Sequence, residues 1–191
     1  MGERIKSINR CKWVTTDPIY VKYHDEEWGK PEYDSKKLFE MICLEGQQAG
    51  LSWITILKKR DQYRQTFCNF DPYKIAEFTE ENIKTILGNA GIVRHRGKIS
   101  SIINNSRCFI EMENNGEDFS DFLWSFVKHE PVMNRWESIK DIPTETLASV
   151  SLSKELKKRG FKFIGGTICY SYKQACGLVN DHSIDCFLSV K

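Results

Sequence analysis

The chain has 191 residues, 28% of them charged, and a formal net charge of +2. This length is sufficient for one folded unit with a substantial hydrophobic core, so folding needs no outside support. The small positive charge permits nucleic acid as a partner but excludes a polybasic tail. No stretch has the apolar length of a signal peptide or a membrane span, so we expect a cytoplasmic protein without a membrane partner.

The N-terminal segment joins a helix-start signal to a dense group of aromatic residues. Asp17-Pro18 predicts the start of a short helix, which Gly29 and Pro31 bring to an end. A longer helix is predicted to open at Asp34. The aromatic residues of the segment are Trp13, Tyr20, Tyr23 and Trp28.

The longer helix carries a carboxylate on its apolar face. At helical spacing, Glu45 shares that face with Leu38, Met41 and Ile42. A buried ionised Glu is costly unless a cation or hydrogen-bond donors compensate it. Glu45 and Trp53 together predict a slot for a flat, electron-poor ring. The alternative, which the spacing alone favours, is a solvated Glu45 at the edge of the face and a Trp53 that belongs to the core.

Residues 87–99 are predicted to form a glycine-containing turn between two helices. The first of these helices is predicted to start at Thr79. Gly88 and Gly91 would expose backbone N–H groups that can hold a phosphate. Nearby cationic side chains are those of Arg94, His95, Arg96 and Lys98. The alternative is an ordinary helical hairpin with a solvated basic face, and the residues alone do not decide between the two.

The rest of the chain predicts further helices and too few strands for a sheet. One helix is predicted over residues 53–67, another begins at Asp71-Pro72, and the last covers residues 168–179. Helical patterns also cover residues 99–113, 119–127 and 152–160. The segment between Pro131 and Pro143 has no pattern that predicts its structure. The fold class is therefore mainly α-helical.

Two pairs of soft metal ligands lie at opposite ends of the chain. Cys11 and His24 are near the start, and His182 and Cys186 have the spacing of ligands on one helical turn. Together they have the composition of a closed tetrahedral zinc site that would tie the ends together. The chain has seven scattered cysteines. The alternative of free thiols at Cys11 and Cys186 and a surface His24 therefore stays open.

Residues 11–186 resemble a known family along nearly their whole length. Two of the runs that carry the similarity are Leu44-Glu45-Gly46-Gln47-Gln48-Ala49-Gly50-Leu51-Ser52-Trp53 and Arg94-His95-Arg96-Gly97-Lys98-Ile99. The others are residues 34–42, 121–126, 157–163 and 175–182. By these runs the chain is similar to the bacterial type I 3-methyladenine DNA glycosylases, constitutive base-excision repair enzymes of the helix-hairpin-helix superfamily.

The resemblance implies an all-α, helix-hairpin-helix fold whose termini are tied by a structural zinc ion. The implied zinc ligands are Cys11, His24, His182 and Cys186. We expect a monomer that forms one compact unit. Residues 1–30 and 165–191 would form its zinc-tied terminal lobe, and residues 34–164 a helical lobe with the hairpin 87–99.

The resemblance also implies an activity and a site. The enzyme would flip 3-methyladenine out of alkylated double-stranded DNA and release it by hydrolysis, leaving an abasic site. Its catalytic residues would be Glu45, Tyr23 and Trp53, in a base pocket completed by Trp13, Tyr20 and Trp28. Residues expected to contact DNA are Gly88, Gly91, Arg94, Arg96, Lys98, Gly50 and Leu51, with Leu51 filling the vacated stack.

Lyase activity is not expected. Many superfamily members place an Asp soon after the hairpin and some add a Lys nucleophile, whereas this chain has no Asp between Gly91 and Asp118. The resemblance implies that the family lacks this Asp, which suits a substrate whose cationic base is already a good leaving group. Competing functions are a non-catalytic reader of modified DNA and an enzyme acting on a free nucleoside. The presence of both Glu45 and Trp53 counts against the first, and the basic hairpin counts against the second.

Overall fold

The computed structural model describes residues 8–189 as a mainly helical protein. Within this range the helices are α1 (Pro18–Glu26), α2 (Ser35–Gln48), α3 (Trp53–Leu57), α4 (Arg60–Thr66), α5 (Pro72–Ala76), α6 (Glu80–Leu87), α7 (Arg96–Asn114), α8 (Phe119–Ser125), α9 (Leu147–Lys158) and α10 (Gly166–Ala175). The strands are β1 (Val132–Met133) and β2 (Val179–Asn180). None of the helices described has the length and apolar character needed to cross a bilayer.

Side-chain caps start the helices where the sequence predicts them. The Asp17 carboxylate accepts a hydrogen bond from the Ile19 N–H at 3.1 Å, and Asp34 accepts one from the Lys36 N–H at 2.9 Å. Thr79 and Asn82 form a capping box at α6. These caps satisfy N–H groups that the helix itself leaves without partners. The predicted starts of α1, α2 and α6 are therefore confirmed.

Two helical predictions are wrong in their extent. Residues 53–67 form two helices, because the Lys59 N–H bonds to the Ile56 carbonyl, three residues back, at 2.9 Å, and this tighter turn ends α3. The last helix does not reach Val179. It ends at Ala175, and Gly177, with a φ of +69°, turns the chain into β2.

Helix α2 lies at the centre of the hydrophobic core. Its Leu38, Phe39 and Ile42 side chains have no exposed surface. It contacts α3, α7, α8 and α10, and α10 also packs against α9. Because α2 is covered on several sides, its C-terminal turn, which carries Glu45, lies inside the protein.

A small parallel sheet anchors the segment that the sequence leaves without a prediction. Val132 pairs with Val179 and Met133 with Asn180, and the pairing continues as a bridge between Trp136 and Ser183. A short 3₁₀ turn at Ile139–Asp141 follows. The pairing therefore docks residues 131–143, named here the docked loop, onto the C-terminal segment.

Candidate active site and metal centre

A cavity of about 280 Å³ opens between the N-terminal segment, α2, α3, α10 and the docked loop. Most of its wall is apolar or aromatic, and a few polar side chains reach it, a combination typical of small-molecule sites. The lining residues are Trp13, Tyr20, Tyr23, Trp28, Glu45, Gln48, Trp53, Ile139, Ile142, Ser171 and Gln174. All six predicted pocket residues therefore line one cavity.

Glu45 is the polar centre of the cavity. Its side chain is 2% exposed, which excludes the solvated position that the spacing alone favours. Its Oε2 atom is buried and has no hydrogen-bond partner among the described residues. Burial raises the pKa of the Glu45 carboxyl to about 8. An unpartnered buried carboxyl is costly, so it marks a place where a ligand can supply the missing donor or cation.

Two further polar groups lie beside Glu45 without partners. The Trp53 indole Nε1 is buried and donates to no group within residues 8–189. The Tyr23 ring lies 5.5 Å from that of Trp53, and its hydroxyl makes no hydrogen bond within the same residues. Burial and the nearby Glu45 carboxyl both raise the pKa of Tyr23. The cavity therefore combines aromatic surface with polar groups that a ligand could satisfy.

Sequence reasoning missed the wall opposite these residues. Ile139 and Ile142 belong to the docked loop, and Ser171 and Gln174 lie on α10. Gln48 follows Glu45 by three positions on α2, so helical spacing could have found it. The other four come to the cavity through pairing and packing over long sequence distances, for which the sequence has no local signal.

The four predicted metal ligands lie together in the structure. Their ligand atoms are all within 4.8 Å of one another, and all four residues are buried. Cys11 Sγ lies 3.4 Å from His182 Nδ1, and Cys186 Sγ lies 3.5 Å from His24 Nε2. Usual zinc bond lengths place the sulfur and nitrogen corners of a tetrahedron about 3.5 Å apart. The cluster therefore has the donor set and the spacing for a metal ion.

Outer hydrogen bonds orient both histidines toward the cluster. His24 Nδ1 lies 2.7 Å from an Asp25 carboxylate oxygen, and Arg10 in turn pairs with Asp25 at 2.6 Å. His182 Nε2 lies 3.2 Å from the Trp28 carbonyl. Each ring therefore presents its other nitrogen to the cluster, as metal-ligating histidines do. Burial lowers the pKa of His182 to about 4, so the ring is neutral, as a ligand must be.

The Cys/His cluster lies directly behind the cavity wall. Trp28 packs edge-on against His182 with ring centroids 4.7 Å apart, and Trp13 packs against His24 at 5.3 Å. Trp13 and Trp28 also contact each other at 5.0 Å. Since both indoles line the cavity, the cluster supports one side of it.

In the hairpin between α6 and α7, some backbone N–H groups already donate hydrogen bonds to nearby residues. The Gly88 N–H donates to the Thr85 carbonyl at 3.0 Å, and the Gly91 N–H donates to the Asn89 side chain at 2.8 Å. This corrects the expectation that the two glycines present free N–H groups. The first N–H groups of α7, at residues 96 and 97, have no partner within the described chain. They are the ones available to an anion.

The basic side chains near the hairpin differ in availability. Arg94 is exposed and makes no ion pair among the described residues, whereas Arg96 pairs with Glu80 on the surface. Lys98 is 6% exposed, and its Nζ donates to the carbonyls of Gln47 at 2.7 Å and Ala49 at 2.6 Å. Lys98 therefore caps the C-terminus of α2, a correction to its expected place on a solvated basic face.

Gly50 and Leu51 form an exposed tip between α2 and α3. Gly50 has a φ of +76° and nothing within 4 Å of where a Cβ would lie, so its backbone conformation is the reason for glycine. The Leu51 side chain is 41% exposed. The turn thus presents an apolar side chain to solvent close to the cavity that Glu45 and Trp53 line.

The chain is similar in sequence and in structure to known methyladenine glycosylases. A profile of a family described as methyladenine glycosylase matches residues 13–189. The chain is 62% identical over 179 residues to DNA-3-methyladenine glycosylase 1 of Escherichia coli (strain K12), covering 94% of this chain and 96% of that protein. A crystal structure of 3-methyladenine DNA glycosylase I matches with a TM-score of 0.94 at 61% identity, over 95% of this chain and 100% of that one. A variant of 3-methyladenine DNA glycosylase I in complex with 3-methyladenine matches with a TM-score of 0.92 at 41% identity, over 96% and 99% of the two chains.

Proposed function

This chain belongs to the methyladenine glycosylase family, whose members are glycosylase enzymes, and on that premise we propose that it releases 3-methyladenine from alkylated double-stranded DNA by hydrolysis, leaving an abasic site. The observation that carries the proposal is the unpartnered, buried Glu45 carboxyl in an aromatic cavity. The relative bound to 3-methyladenine supports the same ligand here.

The cavity suits the charge of the damaged base. Methylation at N3 of an adenine in DNA makes the base cationic and weakens its glycosidic bond. A cationic ring gains attraction from the Trp53 and Tyr23 π-systems, and Glu45 can accept from its exocyclic amine and balance its charge. A neutral adenine brings no such charge, so Glu45 would remain poorly compensated. Selectivity for the methylated base follows from this difference.

We propose that the reaction is monofunctional, without cleavage of the DNA backbone. A lyase needs an amine that attacks the sugar, and Lys98, the lysine nearest the turn before α7, is buried and donates to the Gln47 and Ala49 carbonyls at the end of α2. The cationic base is a good leaving group, so water suffices as the nucleophile.

We propose zinc as the ion held by Cys11, His24, His182 and Cys186. Two thiolates and two imidazoles in a buried, four-ligand set are typical of structural zinc. Bound there, the ion supplies stability and leaves no open position for a reacting water. The chemistry of base release then lies with the cavity residues.

DNA would contact the protein along the surface that joins the hairpin to the Leu51 tip. The free N–H groups at the start of α7 and the Arg94 side chain suit phosphates, in agreement with a helix-hairpin-helix role for α6 and α7. Arg96 is exposed beside them but shared with Glu80. Leu51 is placed to fill the space that a flipped nucleotide leaves.

The decisive test is base release from methylated duplex DNA by the zinc-loaded protein, with unmethylated DNA as control. We expect chromatography to detect 3-methyladenine, and the DNA strand to stay intact until alkali is added. Binding of methylated DNA without release of any base would instead favour a non-catalytic reader of modified DNA. Cleavage of the strand before alkali would contradict the monofunctional part of the proposal.

A further inference from the structure

Asp181 is a buried carboxylate that belongs neither to the Cys/His cluster nor to the residues lining the cavity. It is 1% exposed and makes no salt bridge among the described residues. Its Oδ1 accepts hydrogen bonds from Asn134 Nδ2 and Trp136 Nε1, both at 2.7 Å. Its Oδ2 accepts from the Tyr170 hydroxyl and from Gln174 Nε2, also both at 2.7 Å. Four donors thus converge on one carboxylate from the docked loop and from α10.

This network connects with the base cavity at two places. Gln174 is itself a lining residue, and Asn134 and Trp136 hold the docked loop, whose Ile139 and Ile142 line the same cavity. A fully satisfied buried polar network restricts its members to one arrangement. Asp181 therefore determines how this wall of the cavity is placed.

The hydrogen bond to Asp181 also fixes which end of the Gln174 amide is free. A carboxylate in this position acts as acceptor, so the amide nitrogen must be the atom that faces it. Gln174 Oε1 has no hydrogen-bond partner within residues 8–189, and the residue is only partly buried. The amide of this cavity-lining residue therefore retains a free acceptor, Oε1.

We propose that Asp181 is a positioning residue that makes Gln174 a specificity determinant for the group at position 6 of the purine. An acceptor suits the exocyclic amine of an adenine-type base, whose two N–H bonds can satisfy both Gln174 and Glu45. The same acceptor opposes the carbonyl oxygen that guanine- and hypoxanthine-type bases carry at position 6, because two acceptors face each other without a proton. This inference rests on the proposed function and explains why the proposed enzyme would prefer an adenine-type base.

The substitution Asp181→Asn tests the proposal without changing the volume of the site. The Trp136 indole can only donate, so the new amide oxygen has to face Trp136, and the new amide NH₂ group then faces Tyr170 and Gln174. The Gln174 amide can satisfy this donor by turning over, which brings its own NH₂ group toward the cavity. The variant would then favour a carbonyl at position 6.

The measurement is the ratio of dissociation constants for 3-methyladenine and 3-methylhypoxanthine, read from the fluorescence of the cavity tryptophans. We expect Asp181→Asn to reduce the preference for 3-methyladenine about tenfold, the effect of one hydrogen bond gained or lost. Gln174→Leu, which leaves Asp181 in place, should also reduce the preference. Tyr170→Phe serves as control, since it removes one donor to Asp181 and leaves both the Gln174 bond and the bonds of the docked loop, and it should keep the wild-type ratio.

The outcomes separate this inference from the proposed function. An unchanged ratio in a folded Asp181→Asn or Gln174→Leu protein would overturn the role of Gln174. If Asp181→Asn does not fold, the Gln174→Leu ratio decides alone. A wild-type protein that prefers 3-methyladenine in binding but releases no base from methylated DNA would contradict the proposed function and leave the assignment of Gln174 intact.

Discussion

Glu45, which our proposal places at the centre of the base site, has a cost to the fold. The carboxyl is buried, one oxygen has no partner, and the helix dipole of α2 places its negative end close by. Such strain persists where the surrounding structure determines it and where a ligand relieves it. The cationic base of alkylated DNA, the substrate in our proposal, is of the kind that would relieve it.

The raised pKa of Glu45 predicts a pH-dependent stability. Folding keeps the proton on this carboxyl up to a pKa of about 8, whereas the unfolded chain loses it near 4.5. The contribution to stability is therefore full below pH 4.5 and is lost as the pH rises through about 8. We expect Glu45→Gln to be more stable than wild type by about 2 to 4 kcal/mol above pH 8 and equally stable below pH 4.5.

Urea unfolding at several pH values measures this difference, and base release from methylated DNA serves as the second readout. We expect release to fall about 100-fold in Glu45→Gln, because a cationic base lowers the pKa of the Glu45 carboxyl and is balanced by its ionised form, which an amide does not have. A constant stability difference across the pH range would show that Glu45 does not titrate as its burial implies.

At the scale of elements, Lys98 links the hairpin to the cavity. Its Nζ closes the last turn of α2, and the Gln47 side chain bonds back to the Lys98 carbonyl at 3.0 Å. The start of α7, which faces DNA in our proposal, is thus tied to the helix that carries Glu45. Lys98 and Arg94, grouped together by the sequence, therefore have different tasks.

A matched pair of substitutions separates these tasks. Lys98→Met leaves the buried Gln47 carbonyl and the partly buried Ala49 carbonyl without their donor, and we expect it to lower the free energy of unfolding by about 2 kcal/mol. Arg94→Met should leave stability unchanged, weaken DNA binding and reduce the slope of log affinity against log salt by about 1. Equal effects of the two on stability would contradict the capping role of Lys98.

The Leu51 tip makes a separate prediction for DNA binding. We expect Leu51→Ala to weaken binding to abasic duplex DNA about tenfold, because the space left by the flipped nucleotide is no longer filled. Binding of free 3-methyladenine should not change. The control is Leu147→Ala, which alters a leucine that is 92% exposed at the start of α9. Unchanged DNA affinity in Leu51→Ala would remove the wedge from the proposal.

Elements with local signals could be predicted from the sequence, and elements held by distant contacts could not. Asp17, Asp34 and Thr79 act on N–H groups within three residues, so their helix starts are visible in the sequence. The β1–β2 pairing joins residues 132–133 to 179–180 and has no such signal. The docked loop and its contribution to the cavity were therefore not predicted.

The residues of the candidate site likewise divide into those that could be predicted from the sequence and those that could not. The six aromatic and acidic pocket residues follow from the family resemblance, whereas periodicity alone favoured a solvated Glu45. Periodicity describes one face of one helix, and Glu45 is buried because the N-terminal segment and α10 cover that turn of α2 from elsewhere. Ser171 and Gln174 stayed unassigned because nothing in α10 itself indicates which face meets a cavity.

At the scale of the whole molecule, the Cys/His cluster that we propose as a zinc site joins the two ends of the described chain and supports the cavity. We expect Cys186→Ser, or removal of metal by a chelator, to lower the melting temperature by about 10 °C or more, since metal binding to such sites contributes directly to folding. Affinity for 3-methyladenine should fall in parallel, because Trp13 and Trp28 pack on the ligand histidines.

Cys68→Ser is the matched control for this experiment, because Cys68 lies outside the cluster. Thermal melts and metal analysis of both variants, with base binding measured below the melting temperature, complete the test. Full base affinity in a metal-free protein would show that the cavity does not depend on the cluster.

The contact between Cys11 and His24 near one end of the described chain and His182 and Cys186 near the other affects when the protein can fold during synthesis. Two of the proposed ligands, Cys11 and His24, are translated well before the other two, since Cys186 follows His24 by 162 residues. The docked loop likewise waits for residues 179–183 before it can pair. A nascent chain that has not reached these residues thus lacks part of the wall to which Trp28 and Gln174 belong, so the complete cavity forms only after this segment has been translated.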